Sequence, residues 1–293
     1  MSHSHPRRLH SAVKRALLLG IVCLAAGGAA YACTRKAAVP QLPELPAESL
    51  VQAASTLPDT PVPQPAENGA QQPAENDTQQ SVLTAAQAQA LLADPRMVLV
   101  NHSHKMPEDY TFTTKECGSD TAINKTLQTE AAEAFLSMQA AAAKDGVDIR
   151  MQSGYRSVEY QQKLYDNKTR YYRDKGYPEA EARQKAAAVV NPPGYSEHNC
   201  GLAADLTSPE HPALDRGFAD TAAFRWLQEH AVEYGFLLRY PEGAEAVTEI
   251  TYEPWHWRYV GPENAALLYR SGLCLEDAIA VLQRIAAGEN VTG

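Results

Sequence analysis

The chain has 293 residues, 44% of them apolar and 21% charged, which fits a globular protein with room for one or two domains. Its formal net charge of −9, with no basic stripe to offset the acids, excludes nucleic acid as a partner.

The only dense basic segment, Arg7, Arg8, Lys14 and Arg15, stands before an uncharged run of 18 residues from Ala16 to Cys33. That run is barely long enough to cross a hydrocarbon core as a helix. Positive charge upstream keeps the N-terminus in the cytoplasm, so the rest of the chain is expected on the extracytoplasmic face of the membrane. Residues 1–33 are therefore read as a basic flank plus a membrane anchor or signal segment. An uncleaved single-pass anchor is favoured. Cleavage after Ala30-Tyr31-Ala32 and lipid attachment at Cys33 are the alternatives. Export permits disulfides, and Cys117, Cys200 and Cys274 allow at most one pair among themselves.

Residues 34–81 recur in proline and contain no aromatic side chain, and "PAENGAQQ" (65–72) is followed at once by "PAENDTQQ" (73–80). Such a segment buries too little apolar surface to offset ordering entropy and is expected to be a disordered tether. Residues 82–293 are expected to form a single domain. "MVLVN" (97–101) reads as a short strand. Leu127, Ala131, Phe135, Met138 and Ala142 recur at helical spacing and stop at Gly146. "VDIRMQSG" alternates as a strand should, and Ser157 is a suitable N-cap for a helix over 158–176. A polar helix follows at 178–190, then the Pro192-Pro193-Gly194 break. "GLAADLT", "FLLRYP" and "HWRYVG" read as strands, "TAAFRWLQEHAVEYG" as a helix, and 262–287 as one or two closing helices. Helices and strands do not alternate strictly, so the expected class is α+β, a central and mainly antiparallel sheet flanked by helices. An N-terminal apolar helix and the linker precede it.

Three segments gather residues suited to chemistry: "SGYRSVEYQ" (153–161), "YSEHNCGLAAD" (195–205) and "YEPWHWRYVG" (252–261). Two histidines and a carboxylate that converge in space offer three ligands with an open fourth position, as in a catalytic zinc site. Cys200 is the obvious fourth ligand of a closed site, but two residues after His198 it is cramped for binding the same tetrahedral ion. Glu253, three residues before His256, could accept a proton from an attacking water and pass it to a leaving amine. Arg156 is a permanent cation suited to a carboxylate or a developing oxyanion. Taken singly, each has a plain structural reading: a turn histidine, a strand-end acid, a solvated helix-start arginine. His102 and His104 also lie on one face if extended, although strand-end roles suit them better.

Together, "SGYRS", "SEHNCGLAAD" and "EPWHWRYVG" resemble the signature blocks S-x-H-x6-D and E-x2-H of the VanY-type D-alanyl-D-alanine carboxypeptidases. These belong to a zinc-peptidase superfamily that also includes lysostaphin-like enzymes and the hedgehog N-terminal domain. The resemblance covers residues 97 to 285. It implies that His198, Asp205 and His256 hold Zn2+, that Glu253 is general base and then acid, and that Arg156 faces the scissile carbonyl. It also implies that Ser196 and Gln161 bind substrate. The sequence departs from commoner members at Asn199-Cys200, where a Gln-Thr pair is usual. The implied enzyme is a zinc-dependent D,D-carboxypeptidase, expected to be monomeric. It removes the terminal D-alanine of peptidoglycan stem peptides by Glu-assisted attack of zinc-bound water. An L,D-carboxypeptidase acting on tetrapeptides shares the ligand set. A non-catalytic cell-wall-binding module is the alternative from another class, and the presence of Glu253 speaks against it.

Overall fold

The computed structural model describes residues 83–119 and 122–289. The expected anchor and linker lie outside the described residues, among which no helix is long and apolar enough to cross a membrane.

The chain enters through α1 (Ala85–Ala93). Thr84 starts it with a reciprocal cap: its hydroxyl accepts the Gln87 N–H, and the Gln87 side chain accepts the Thr84 N–H. Such a cap stabilises a helix end by about 1 kcal/mol. Next, β1 (Thr114–Glu116) and β2 (Thr126–Gln128) pair antiparallel as a two-stranded ribbon. All of β1 is exposed, so no hydrophobic alternation marks it in the sequence. α2 (Thr129–Lys144) follows β2 directly and buries Ala131, Phe135, Met138 and Ala142 along one face. β3 (Arg150–Ser153) leads into α3 (Val158–Asp174), which Ser157 caps by accepting the Tyr160 N–H. α4 (Glu179–Ala187) packs back on α3.

The remaining elements build the sheet and close it. They are β4 (Ala203–Thr207), α5 (Ala222–His230), β5 (Phe236–Leu238), the single turn α6 (Glu245–Thr248), β6 (His256–Tyr259), α7 (Pro262–Ser271) and α8 (Leu275–Ala286). Gly272, at φ 68°, ends α7, so the closing pattern is two helices. The four-stranded sheet runs β3-β4-β6-β5 and every pair is antiparallel. The described domain is thus α+β, with antiparallel sheets flanked by helices.

β4 and β6 occupy the middle, and all nine of their residues are buried. Side chains alternate across a strand. Ala204, Leu206, Trp257 and Tyr259 enter a core with Phe135, Met138 and Leu227, each large side chain contributing about 1.5–3 kcal/mol over the exposed state. A second core joins α1, α7 and α8 through Leu83, Met97, Val260, Leu268 and Leu282. The other side of the central strands therefore has to accommodate Asp205, His256 and Arg258.

One expected strand does not form. Residues 95–97 make a 3-10 turn, and 98–100 pair with no strand. The carbonyls of Arg96 and Val98 each accept from Nη2 of Arg258, at 2.8 Å, so a side chain takes the bonds a neighbouring strand would need. Met97 and Val100 are buried all the same, one in each core. Apolar content marked this segment as interior but could not say what satisfies its backbone.

Candidate active site

The 3-10 turn Glu197–Cys200 carries the stretch "SEHNC" and ends at Gly201, at φ 68°. A side chain at Gly201 would meet the Phe112 ring at 3.0 Å and the Gln128 nitrogen at 3.1 Å. Gly201 therefore provides both the left-handed conformation and a close approach. The turn is clamped to the segment before α3. Arg156 N–H donates to the His198 carbonyl at 3.0 Å. The Asn199 amide donates to the Arg156 carbonyl at 2.7 Å and accepts the Gly194 N–H at 3.0 Å. Asn199, one of the two departures from the usual family pair, is a structural clamp.

His198 projects from this turn, and its Nδ1–H donates to the Gly154 carbonyl at 2.8 Å. Gly154 can sit there because it lacks a Cβ, which would fall 2.2 Å from the Thr126 oxygen. The bond turns Nε2 toward Asp205, 3.2 Å from Oδ1. Asp205 lies mid-strand in β4 and is paired in register with His256 of β6. Nδ1 of His256 is 3.4 Å from the same Asp205 oxygen. One ligand atom from each of His198, Asp205 and His256 lies within 4.8 Å of the others, and the three residues are 2%, 2% and 5% exposed. Among the described residues this is the group able to hold a metal ion. His102 and His104 instead bond the Ala187 carbonyl and the Asn101 side chain.

The electrostatics of the group suit a cation. Burial alone would raise Asp205, but His198 and Arg156 hold it well below the usual carboxylate range. Burial and the Arg156 charge push His198 down to about 4. Burial would also lower His256, yet the carboxylates of Asp205 and Glu197 beside its two ring nitrogens carry it up to about 9. Two nitrogens and a carboxylate oxygen fit Zn2+ in ligand type and number.

Glu253 stands 3.6 Å from His256 Nδ1, at the rim of the group, and is 9% exposed. Burial, opposed by His256 and aided by the Asp205 charge, pushes it up to about 7. Its backbone is fixed by bonds to Tyr240 and His256, which aim the carboxylate at the ligands across Pro254. Arg156 donates to Ser153 Oγ at 3.0 Å and to Asp205 Oδ2. It thus begins beside the metal group and not out in solvent.

A cleft of about 200 Å³ opens onto the group, and Arg156, Gln161, Ser196, His198, Asp205, Glu253 and His256 all line it. Every candidate residue from the sequence therefore meets at one place. A larger apolar cavity of about 340 Å³, lined by Leu227, Leu237, Val260 and Leu268, contains none of the three ligand candidates. Sequence reasoning missed two polar members of the cleft, Asn191 and Tyr240. Buried oxygens of Gln161, Asn191 and Tyr240 face no protein partner, which leaves them available to water or a polar ligand in the cleft. Asn191 before two prolines and Tyr240 before Pro241 were the only traces of this in the sequence. Cys200, in contrast, is fully buried in the main core, and Cys117, Cys200 and Cys274 are free thiols.

Comparison with known proteins agrees with this geometry. The family model described as VanY, D-alanyl-D-alanine carboxypeptidase, matches residues 124–262. The D-alanyl-D-alanine carboxypeptidase of Enterococcus faecalis is 35% identical over 197 residues, 67% of this chain and 69% of that one. A mutant of the vancomycin-resistance D,D-pentapeptidase VanY from a VanB-type cassette, in complex with Zn(II), superposes with a TM-score of 0.55. It is 34% identical, over 63% of this chain and 99% of its own. The LD-carboxypeptidase LdcB gives a TM-score of 0.55 and 32% identity over 64% of this chain and 88% of its own. A relative alike over about two thirds of both chains, and a family match spanning every candidate ligand, carry one conclusion: the chain belongs to the VanY family of D-alanyl-D-alanine carboxypeptidases.

Proposed function

We propose that this protein is a zinc-dependent D,D-carboxypeptidase that removes the C-terminal D-alanine from peptidoglycan stem peptides. The carrying observation is the buried His198, Asp205 and His256 group at the base of a cleft, with Glu253 at its rim. His198 through Nε2, Asp205 through Oδ1 and His256 through Nδ1 would hold the ion. Bound there, zinc supplies Lewis-acid polarisation of the scissile carbonyl and makes water acidic enough to attack near neutral pH. Glu253 takes the proton of the attacking water and hands it to the departing D-alanine amine. Arg156 lies close enough to the group to exchange its Asp205 contact for the developing oxyanion. The hydroxyls of Ser196 and Tyr240 can donate to the terminal carboxylate, and the amide oxygens of Gln161 and Asn191 can accept from peptide N–H groups.

Such a substrate exists outside the cytoplasmic membrane. The basic flank and uncharged run at Ala16 to Cys33 support placing residues 82–293 on the extracytoplasmic face, tethered through residues 34–81. A second reading, an L,D-carboxypeptidase acting on tetrapeptide stems, is supported by the likeness to LdcB. Incubating the zinc-loaded protein with defined tetra- and pentapeptide muropeptides and weighing the products separates the readings. Loss of one alanine from the pentapeptide alone is the expected result. Loss from the tetrapeptide alone establishes the L,D activity. Zinc binding with cleavage of neither leaves a non-catalytic wall-binding module.

A further inference from the structure

Glu197 stands between Ser196 and His198 and is 0% exposed, yet neither the cleft nor the metal group contains it. Its carboxylate points to the rear, where it meets three side chains. Oε1 accepts from Nε of Arg239 and from Nη1 of Arg258, each at 2.7 Å. Oε2 lies 3.3 Å from Nε2 of His256. His256 and Arg258 are two residues apart on β6 and so present to the same side of the strand. The remaining guanidinium nitrogens of both arginines are also engaged. Arg239 bonds both oxygens of Glu276, and Arg258 bonds the carbonyls of Arg96, Val98 and Tyr259. Two guanidinium groups, each bonded through all three of its nitrogens, thus pin one oxygen of Glu197 and leave the other for His256.

We propose that Glu197 is the positioning residue of the metal centre. It accepts the Nε2–H of His256, fixing the imidazole in the tautomer whose Nδ1 lone pair faces Asp205 and His198. The two histidine ligands are then oriented in opposite senses: His198 by a backbone carbonyl at Nδ1, His256 by a carboxylate at Nε2. A carboxylate behind a ligating imidazole fixes ring orientation and raises ligand basicity. This inference rests on the zinc reading above.

The test uses the full chain and reads zinc affinity by competition with a chromophoric chelator, together with the absorption spectrum of the cobalt-loaded protein. In Glu197→Gln the amide oxygen stays with the two arginines, which turns the NH2 toward Nε2–H, donor against donor. Zinc affinity should fall about 10–100-fold, and the cobalt spectrum should change. Glu276→Gln cuts an ion pair of the same buried cluster without touching His256, and should keep wild-type zinc affinity and cobalt spectrum. Wild-type affinity in Glu197→Gln, or an equal loss in Glu276→Gln, overturns the proposal. Should Glu197→Gln not fold, histidine 15N spectra of the wild-type zinc protein decide. His256 must be metallated at Nδ1 and protonated at Nε2, and His198 the reverse. Metallation of His256 at Nε2 overturns the inference. A wild-type protein that binds no zinc fails the zinc reading itself, whereas zinc binding indifferent to Glu197 fails only this inference.

Discussion

Two glutamates lie on opposite sides of the His256 ring, and the protein treats them in opposite ways. Glu253, on the cleft side, has no arginine bonded to it, and burial pushes it up to about 7. Glu197, on the rear side, is buried more deeply still. The charges of Arg239 and Arg258 outweigh that burial and hold it below the usual carboxylate range. Residue type and burial are therefore poor guides to role. On the proposed mechanism, what separates the proton carrier from the permanent anion is the supply of bonded counter-charge. The cleft side leaves its carboxylate free to change partners, while the rear side spends two arginines preventing that.

The largest expected effect falls on the cleft side. Glu253→Gln should lower kcat by about 10²–10⁴-fold, the usual contribution of a positioned acid–base group. Zinc stoichiometry and melting temperature should stay at wild-type values. Full turnover in that variant would remove Glu253 from the mechanism and erase the contrast. On the rear side the loss should appear in stability instead. Arg258→Met leaves Glu197 facing one fewer cation and strips donors from the Arg96 and Val98 carbonyls. Breaking a buried pair in this way costs about 3–5 kcal/mol, readable as a shift of the denaturant midpoint of the metal-free protein. A variant as stable as wild type would mean that the second arginine is redundant. The smallest of the three effects concerns the turn that carries both Glu197 and His198. Asn199→Ala removes the clamp to Arg156 and Gly194, with an expected cost of about 1–3 kcal/mol for the bonds left unmade. Because neither glutamate loses a charge partner, pentapeptide turnover should remain measurable. Turnover as low as that of Glu253→Gln would show that the clamp also sets the cleft.

These contrasts also mark what the sequence could reveal. That His198, Asp205, Glu253, His256 and Arg156 would converge was legible because metal and acid–base chemistry calls for those residue types, and two short spacings bring them forward. The register that pairs Asp205 with His256 explains why the spacings work, since register partners on adjacent strands face the same side of the sheet. Helices over 129–144 and 158–174 were legible from apolar period and from the Ser157 cap. Glu197 was not, because its role depends on Arg239 and Arg258, remote in sequence and unremarkable one at a time. The exposed strand Thr114–Glu116 left no trace in hydrophobic pattern. Residues 97–101 misled for the opposite reason: they have a strand's composition, but an arginine side chain takes their carbonyls.

The pairing of β4 with β6 has a further consequence for how the protein matures. His198 and Asp205 are close in sequence and can be brought near each other by one turn and the strand that follows. His256 arrives only when a loop of about fifty residues closes, a non-local step that is entropically costly and characteristically late. The ligand set is therefore completed together with the middle of the sheet. A metal captured there would report that long-range assembly has finished, and it would stabilise the closed sheet by mass action.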